Sequence, residues 1–402
     1  MNIQTLKGFR DFLPKEAVKR NWLKDKIREI FELWGYEPLE TPTLEYLEVF
    51  QGVIGEDEKL FFQFEDKGGR KVALRYDQTV PSCRVVGQYA DKLTFPFKRY
   101  QIQNCFRSEN PQKGRYREFL HCDADIWGIA SPTADAEVIA LSLDVYRKLG
   151  FKRVIVKMND RKLLKGFPYE AIVAIDKLKK VGPDGVLADM ENKGIPLAQA
   201  KEYLNTITNL KPNETITTIL RTLKNYGFDE SWYEFDPTIA RSFAYSDGPI
   251  WEIVVPEYDA GSVLGGERYD TLTAKVSGRD IPATGFAVGF ERTLEAAEEL
   301  GLLPNIKTST KVLVTVFSPD LEEKSLEITS QLRSENIHAE LYLDERAKLD
   351  KQLKYADKKG IPYVVILGER EIKEHTVTIK NLATREQKTV SLEEAVKIIQ
   401  SS

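Results

Sequence analysis

Hydrophobic and polar positions along the first part of the chain predict a helix followed by a hairpin. After Pro14, apolar residues recur every three to four positions, which predicts a helix that ends near Gly35. Apolar positions alternate at 60–66 and again at 71–79, on either side of a Lys-Gly-Gly turn. This pattern is typical of two strands joined in a hairpin.

A second hairpin, at 97–128, has the most distinctive polar pattern in the chain. It consists of a strand, a turn-rich loop and another strand. Four cations lie on or beside the loop, at Arg107, Lys113, Arg115 and Arg117, with carboxylates at Glu109, Asp123 and Asp125. Such a hairpin can hold a polyphosphate at one end and a small polar or cationic molecule at the other. Charge alone would favour a solvated basic hairpin, but the neighbouring motifs reverse that choice.

The central part of the chain changes from a helical to a strand-rich pattern. Asp135 is predicted to cap a helix that ends at Leu149, and the stretch from about 167 to 226 has helical patterns without strands. Three predictions follow along the chain: a strand at 250–258, a glycine-rich turn at 262–270, and a strand running into a helix at 284–300.

The last part of the chain predicts a separate α/β domain. Residues 301–310 are predicted to be a linker, and the apolar runs 311–317 and 362–368 lack clean alternation, which suits strands covered on both faces. The predicted organisation is a first domain in two parts with a helical insertion, followed by a second domain: 1–166, 167–228 (insertion), 229–303 and 311–402.

Composition excludes several classes of protein. The chain has 402 residues, 42% hydrophobic and 30% charged, with a formal charge of −4, which argues against a DNA-coating protein. No apolar run is long enough to span a bilayer, and the first residues lack the apolar block of a secretory signal. Three cysteines without CxxC spacing argue against a zinc site and a disulfide framework, so we expect a cytoplasmic protein.

Five short motifs occur in a particular order along the chain: KGFRDFLP (7–14), LRYDQT (74–79), CFRSENPQKGRYREF (105–119), GGERYD (265–270) and GFAVGFERT (285–293). Together they resemble the histidyl-tRNA synthetase family, a class II aminoacyl-tRNA synthetase family. The resemblance implies an α+β catalytic domain, with an antiparallel sheet flanked by helices, and a C-terminal α/β anticodon-binding domain. It also implies a homodimer formed partly through the segment around Pro42.

The resemblance implies a set of ATP-binding residues. Amino-acid activation is the attack of a carboxylate on the α-phosphate of ATP, in the presence of Mg²⁺, so cations must neutralise two anions that approach each other. By resemblance, Arg107 holds the α-phosphate and the carboxylate, while Glu109 and Arg115 lie around ATP. Phe119 stacks on the adenine, and Arg292 covers its other face and reaches the γ-phosphate. Arg107 and Arg241 are the predicted catalytic residues, with Arg241 at the reacting phosphate; no metal ligands are assigned.

The resemblance also implies a histidine-binding set: Asp77, Thr79, His121, Asp125, Tyr245 and Tyr269. Asp77 and Thr79 match positions that bind the ammonium group, and Asp125 matches the acidic residue that faces the imidazole. The simpler alternatives are a strand-end cap for Asp77, plain packing for Tyr269 and a salt-bridged strand residue for Arg241.

This chain departs from the family pattern around the side-chain pocket. His121 stands where glutamine is usual, and Glu267 where glycine is usual. Ser242, Ala244 and Ser246 replace the glycine, aspartate and second tyrosine that normally follow the arginine at 241. The ATP-binding positions are unchanged, so the sequence supports ATP binding more firmly than the choice of amino acid.

The main functional hypothesis is a histidine–tRNA ligase that forms histidyl-adenylate from histidine and ATP and transfers histidine to tRNA(His), with neither DNA nor membrane as a partner. Three alternatives stay open. They are a histidine-sensing regulatory paralogue of ATP phosphoribosyltransferase, a non-catalytic RNA-binding protein derived from a synthetase, and a class II ligase for another amino acid.

Overall fold

The computed structural model describes residues 3–112, 114–240 and 245–401 and divides the chain into two compact units. The first unit comprises residues 3–11 and 23–303, and the second comprises 12–22 and 304–401. In the part of the chain that is described, no helix is long and apolar enough to cross a membrane.

Antiparallel pairing dominates the first unit. Its strands are β1 (Glu37–Pro38), β2 (Leu44–Tyr46), β3 (Gln63–Glu65), β4 (Lys71–Leu74), β5 (Phe97–Phe106), β6 (Glu118–Trp127), β7 (Ile155–Asp160), β8 (Tyr233–Phe235), β9 (Pro249–Val254), β10 (Leu264–Arg268) and β11 (Ala283–Gly289). The main sheet has the order β1-β5-β6-β11-β10-β9-β7-β8, and β2, β4 and β3 form a small separate sheet. Only the edge pairs β1–β5 and β7–β8 of the described main sheet are parallel, which confirms the predicted antiparallel sheet.

Helices flank this sheet and form the insertion. The first nine helices of the chain, in order, are α1 (Pro14–Leu33), α2 (Thr79–Tyr89), α3 (Pro132–Lys148), α4 (Tyr169–Ile175), α5 (Leu178–Asn192), α6 (Leu197–Thr208), α7 (Glu214–Asn225), α8 (Leu272–Ser277) and α9 (Phe290–Glu299). Helices α4 to α6 share a small apolar core that includes Ala171, Ile175, Met190 and Ile207. The helical character of this segment matches the sequence pattern, while the exact domain boundaries stay a prediction.

The two faces of the main sheet have different characters, because neighbouring residues on a strand point to opposite sides. Tyr100, Ala124 and Phe286 pair across β5, β6 and β11, and so share one face. On that face Phe31 of α1 packs with its ring centroid 5.7 Å from Tyr100 and 5.8 Å from Phe286. The next residues along each strand, including Asp125, therefore point to the opposite face.

The second unit is a mixed sheet of five strands with helices around it. Its elements are β12 (Val312–Val314), α10 (Glu322–Ser334), β13 (Ala339–Leu341), α11 (Leu349–Lys359), β14 (Tyr363–Ile366), α12 (Glu369–Glu374), β15 (Val377–Asn381), β16 (Gln387–Val390) and α13 (Leu392–Gln400), with sheet order β13-β12-β14-β15-β16. Val312 and Val314 belong to one apolar cluster, whereas Leu313 and Val364 belong to another. Burial on both faces explains why these strands lack alternation, as predicted.

One sequence prediction was wrong about a whole element. The glycine-rich stretch 262–270 was expected to be a turn, but it contains β10, a strand between β9 and β11. Glycine is needed on this strand because a Cβ atom at Gly266 would lie 2.2 Å from the ring of Trp251 on β9. The glycines removed the side-chain alternation by which a strand is recognised.

Two element ends also differ from the predictions. The helix α3 is capped by the Ser131 side chain, which accepts a hydrogen bond from Thr133 N at 3.2 Å. Asp135, the expected cap, is instead buried and forms an ion pair of 2.9 Å with Arg268. The strand expected at 71–79 ends at Leu74, because the chain turns there toward α2.

Candidate active site

A cavity of about 430 Å³ opens on the face of the main sheet opposite α1, and it gathers most of the predicted site residues. Those that line it are Asp77, Thr79, Arg107, Glu109, Arg115, Phe119, His121, Asp125, Tyr245, Tyr269 and Arg292. Arg241, and with it Ser242 and Ala244, lies outside the described residues, so the role predicted for Arg241 stays a prediction. Lys113 of the hairpin loop also lies outside them.

Three motifs that are distant in sequence meet at the edge of this cavity. Arg10 donates to Glu291 Oε2 at 3.0 Å, and its guanidinium carbon lies 3.3 Å above the ring centre of Tyr116. Arg10 comes from the first motif, Tyr116 from the hairpin loop and Glu291 from the start of α9. An arginine suits this place because its flat cation can stack on a ring and pair with a carboxylate together.

Arg107 is held at the end of β5 with its cation against two aromatic rings. Its Nε donates to Tyr76 O at 3.2 Å, and its guanidinium carbon lies 4.2 Å from the ring centre of Tyr76 and 5.0 Å from that of Phe119. Burial disfavours the charge, but Tyr76, Cys105 and Asp77 outweigh burial and raise the pKa of Arg107. The residue is therefore a fixed, permanently charged group that faces the cavity.

Two further arginines reach the same cavity from other segments. Arg292 on α9 donates from Nη1 to Ser262 O at 2.8 Å. Burial, and then the neighbouring charge of Arg115, lower the pKa of Arg292. Arg115 in the hairpin loop lies 3.2 Å from Glu109 Oε2. A mutual repulsion between two cations that line one cavity is typical of a site for a multiply charged anion.

Asp77 lies just before α2, and its two oxygens have different surroundings. Oδ1 accepts a hydrogen bond from Val80 N at 3.1 Å, as a cap would. Among the residues that the structure describes, Oδ2 has no hydrogen-bond partner, although Asp77 is only 4% exposed. Burial raises the pKa of Asp77. Such an oxygen gains from a cationic partner, which an ammonium group would supply.

His121 on β6 forms a buried pair with a neighbour on the same strand. Its Nδ1 lies 2.8 Å from Asp123 Oδ1, and its ring packs edge-on against Phe119 at 5.7 Å. Burial alone would lower the pKa of His121, but Asp123 outweighs burial and raises it to about 10. The ring is therefore an imidazolium at neutral pH, unlike the neutral glutamine that is usual in the family.

Asp125 is the most strongly connected acid of the cavity. Its Oδ2 lies 2.7 Å from Arg99 Nη2, and the Tyr269 hydroxyl donates a hydrogen bond to its Oδ1. Burial raises the pKa of Asp125 to about 7; the charge of Arg99 opposes this and that of Asp123 adds to it. Burial likewise raises the pKa of Tyr269, so its hydroxyl stays a donor.

Sequence reasoning missed Arg99, which is fully buried on β5 directly opposite Asp125 on β6. The hairpin offered a usable signal. Once Phe106 pairs with Glu118, the antiparallel register sets Arg99 opposite Asp125. A buried cation is rarely unpaired, so this register would have identified the pair.

The floor of the cavity is largely main chain. Gly265, Gly285, Ala287 and Gly289 on β10 and β11 line it without large side chains. At Gly285 the need for glycine is steric, because a Cβ atom there would lie 1.9 Å from Asp125 Oδ1. Glu252 and Glu267 also line the cavity. Glu252 was not identified from the sequence, and Glu267 was noted only as a departure from the family.

A resident metal centre is not indicated. Within the described ranges, there is no group of three or more histidine, cysteine, aspartate or glutamate side chains that could hold a metal ion.

Comparison with known families identifies both units of the chain. A profile described as Histidyl-tRNA synthetase matches residues 8–181 and 166–293. A profile described as Anticodon binding domain matches residues 311–402. The two profiles together cover the motifs from which the cavity is built and the whole of the second unit's sheet.

Curated proteins are similar to this chain along nearly its whole length. The histidine–tRNA ligase of Clostridium tetani is 35% identical over 433 aligned residues, covering 99% of this chain and 98% of that protein. The histidine–tRNA ligase of Aeropyrum pernix is 37% identical over 426 aligned residues, covering 98% and 97%.

Solved structures agree with the fold. The crystal structure of histidyl-tRNA synthetase from Nostoc sp. PCC 7120 has a TM-score of 0.87 at 26% identity, covering 100% of this chain and 99% of that one. A structure from Bacillus halodurans C, described as an ATP phosphoribosyltransferase regulatory subunit/histidyl-tRNA synthetase, has a TM-score of 0.73 at 23% identity and covers 88% of this chain, a likeness of fold alone. With sequence identity, motif order and fold in agreement over almost its entire length, the chain belongs to the histidyl-tRNA synthetase family of class II aminoacyl-tRNA synthetases.

Proposed function

We propose that this protein is a histidine–tRNA ligase that uses ATP, histidine and tRNA(His). The observation that carries the proposal is the shared cavity. Arg107, Arg115 and Arg292 line it together with Asp77 and Asp125, so cations for a triphosphate and acids for a cationic amino acid meet in about 430 Å³. The relatives that are 35–37% identical over nearly their full length carry the same activity in their names.

In the first step, a carboxylate oxygen of histidine attacks the α-phosphorus of ATP. The new bond joins that oxygen to phosphorus, the bond from phosphorus to the bridging oxygen breaks, and pyrophosphate leaves. Arg107 is placed to neutralise the two approaching anions, and Arg292 to hold the leaving phosphates. When bound, Mg²⁺ would spread the phosphate charge, and Glu109 is a cavity carboxylate of the kind that holds it alongside phosphate oxygens.

The acids of the cavity suit the two cationic parts of histidine. Asp77 offers an oxygen without a hydrogen-bond partner among the described residues, which suits the ammonium group. Asp125, held by Arg99 and Tyr269, suits a ring N–H donor. The remaining assignments for Thr79, His121 and Tyr245 rest on their place in the cavity wall.

In the second step, a hydroxyl of the terminal adenosine of the tRNA attacks the carbonyl carbon of the adenylate, and AMP leaves. The hairpin loop around Gln112 and Arg115 lies at the mouth of the cavity, where the acceptor end would arrive. The second unit, matched by the anticodon-binding profile, would meet the anticodon. We also propose a cytoplasmic location, as expected of a translation enzyme.

The test is amino-acid-dependent exchange of pyrophosphate into ATP, measured with each of the twenty amino acids. Exchange with histidine alone, followed by charging of tRNA(His), is the expected result. Absence of exchange with every amino acid would refute a ligase of any specificity and favour the regulatory or RNA-binding alternatives. Exchange with a different single amino acid would preserve the ligase chemistry and reject histidine.

We further propose a homodimer that uses the small sheet of β2, β4 and β3. Leu44 and Tyr46 on β2 and Phe64 on β3 are 39%, 51% and 49% exposed, which makes an apolar surface beside the segment around Pro42. Sedimentation velocity should show a dimer for the wild type and a monomer for Tyr46→Glu. Phe317→Glu, at an apolar residue of the second unit that is 54% exposed, should remain dimeric; monomeric wild type at micromolar concentration would reject the dimer.

A further inference from the structure

Glu267 lies in a row of paired residues that crosses three strands of the main sheet. Glu267 on β10 pairs with Gly285 on β11, and Gly285 pairs with Asp125 on β6. Directly opposed residues point to the same face of a sheet. Glu267 and Asp125 therefore project from the same face, two strands apart, and both line the cavity.

The gap between the two acids is open because the middle residue has no side chain. Adjacent strands are about 4.8 Å apart, so the two backbone positions are separated by roughly 10 Å. The Asp125 carboxylate leans across this gap, since a Cβ atom at Gly285 would lie 1.9 Å from its Oδ1. No side chain of the middle residue therefore separates the two acids.

The Glu267 side chain is fixed in place. It is 7% exposed, and its Oε2 accepts a hydrogen bond from the Ser246 hydroxyl. Tyr269, which directly follows β10, donates to Asp125, and its ring lies 6.3 Å from that of Tyr245. The side-chain end of the cavity is therefore walled by two tyrosines and closed by acids on two sides.

We propose that Glu267 is a specificity-determining residue that accepts one ring N–H of the bound amino acid while Asp125 accepts the other. An imidazolium carries N–H donors on both ring nitrogens, which point in different directions and require two acceptors. The pair of acids matches that requirement, and Ser246 acts as the positioning residue for Glu267. This inference rests on the proposed function. In this chain the charged Glu267 would take the place of the tyrosine that is usual at position 246.

The consequence is selectivity for a ring that donates twice. Triazolylalanine has almost the shape of histidine, but its ring stays neutral and offers one N–H donor at neutral pH. A buried acceptor left without a donor costs as much as a lost charged hydrogen bond. The wild-type cavity should therefore discriminate strongly between the two amino acids.

The experiment measures binding of histidine and of triazolylalanine by titration calorimetry on the full chain, with pyrophosphate exchange as a second readout. Glu267→Gln should weaken histidine binding about ten- to hundredfold, the effect expected from losing one charged hydrogen bond. Binding of triazolylalanine and the KM for ATP should change less than about threefold, well under the effect of one such bond. The matched control is Glu234→Gln, at an exposed residue of β8 on the edge of the same sheet.

Two more variants keep the test independent of folding. Glu267→Asp should restore part of the preference for histidine, because it keeps the charge. Ser246→Ala keeps Glu267 but removes the hydrogen bond that Ser246 donates to it, so it should lower the preference by an intermediate amount. A preference ratio unchanged from wild type in Glu267→Gln or in Ser246→Ala would overturn the proposal, as would an equal loss for both ligands in Glu267→Gln.

The failure of this inference can be told from failure of the proposed function. Wild-type exchange with histidine, combined with an unchanged preference in Glu267→Gln, would reject Glu267 and leave the ligase assignment intact. If the wild type binds histidine but shows no pyrophosphate exchange, and Glu267→Gln weakens that binding, the inference is supported and the ligase assignment is rejected. A wild type that does not bind histidine would reject both.

Discussion

Asp125 combines two roles that a single acid seldom has, since it both compensates a buried arginine and faces the cavity. Asp125→Asn should raise the KM for histidine about ten- to hundredfold, because an amide replaces a charged acceptor. The KM for ATP should be unchanged, since the arginines of the phosphate end stay in place. Steady-state pyrophosphate exchange measures both constants. An unaltered KM for histidine would remove Asp125 from the substrate site.

Asp125→Asn should also destabilise the fold, and this effect can be measured separately from activity. Arg99 has no exposed surface and loses its ion-pair partner, so the free energy of unfolding should fall by about 3–5 kcal/mol. Urea denaturation measures this loss. Asp184→Asn, at an exposed residue of α5, should match the wild type in both assays.

His121 predicts a pH dependence of stability. Its pKa is raised from 6.5 to about 10 by Asp123 against the opposing effect of burial, so the folded protein holds a proton that the unfolded chain releases between these values. The stability that this pair contributes is complete below about pH 6.5 and is lost as pH rises toward 10. Relative to His121→Gln, the wild type should therefore lose free energy of unfolding between pH 6.5 and 10. Chemical denaturation at several pH values tests this; parallel curves for the two proteins would contradict it.

Sequence analysis identified residues within motifs that line the cavity, and it missed one of their buried partners. Arg107, Asp77 and Tyr269 line the predicted cavity because each occupies a motif position. Arg99 lies outside every motif, so only the strand register could identify it. The role of Arg241 remains a prediction from the resemblance.

At the scale of the element, β11 depends on its glycine more than its sequence pattern suggests. Gly285→Ala should lower kcat/KM for histidine about a hundredfold, which corresponds to about 2.8 kcal/mol, because the new methyl group displaces the Asp125 carboxylate. Pyrophosphate exchange measures the loss. Gly68→Ala, in the turn between β3 and β4, places its Cβ no closer than 3.3 Å to any neighbour and should have no effect. An active Gly285→Ala enzyme would mean that Asp125 can move without loss.

Helices and hairpins with clear periodicity were predicted well. Elements whose residues are set by contacts with distant parts of the chain were not. The hairpin predicted at 97–128 is present as β5 and β6, which pair in register from Phe97 to Phe106. β10 was predicted to be a turn because Gly265 and Gly266 resemble turn residues, although Gly266 is required by the ring of Trp251 on β9. Asp135 was predicted to be a helix cap because its partner, Arg268, is far away in sequence.

At the scale of the whole molecule, the two units should divide the work of activation and tRNA recognition. Lys348 and Lys358 are exposed near the two ends of α11, whereas Lys354 lies 2.7 Å from Asp350 on the same helix. Reversing the charge with Lys348→Glu and Lys358→Glu together should raise the KM for tRNA(His) about tenfold, equivalent to about 1.4 kcal/mol. Pyrophosphate exchange should not change.

Lys354→Gln is the matched control, since its charge is already compensated on the helix surface. Aminoacylation assays with varied tRNA concentration measure the effect. An equal loss of exchange in the double variant would mean that α11 supports the catalytic unit and not the tRNA. The sequence predicted this unit correctly from apolar strands, but phosphate contacts depend on the surface that the folded helices present.

The glycines and alanine beneath the cavity have an evolutionary consequence. A cavity with a floor of main chain keeps its shape when the surrounding side chains are substituted. A substitution that adds atoms at one of the floor positions changes that shape directly. At position 267, this chain carries a carboxylate that lines the same cavity. Positions 265, 285 and 289 are therefore the natural starting points for directed evolution toward amino acids of other shapes.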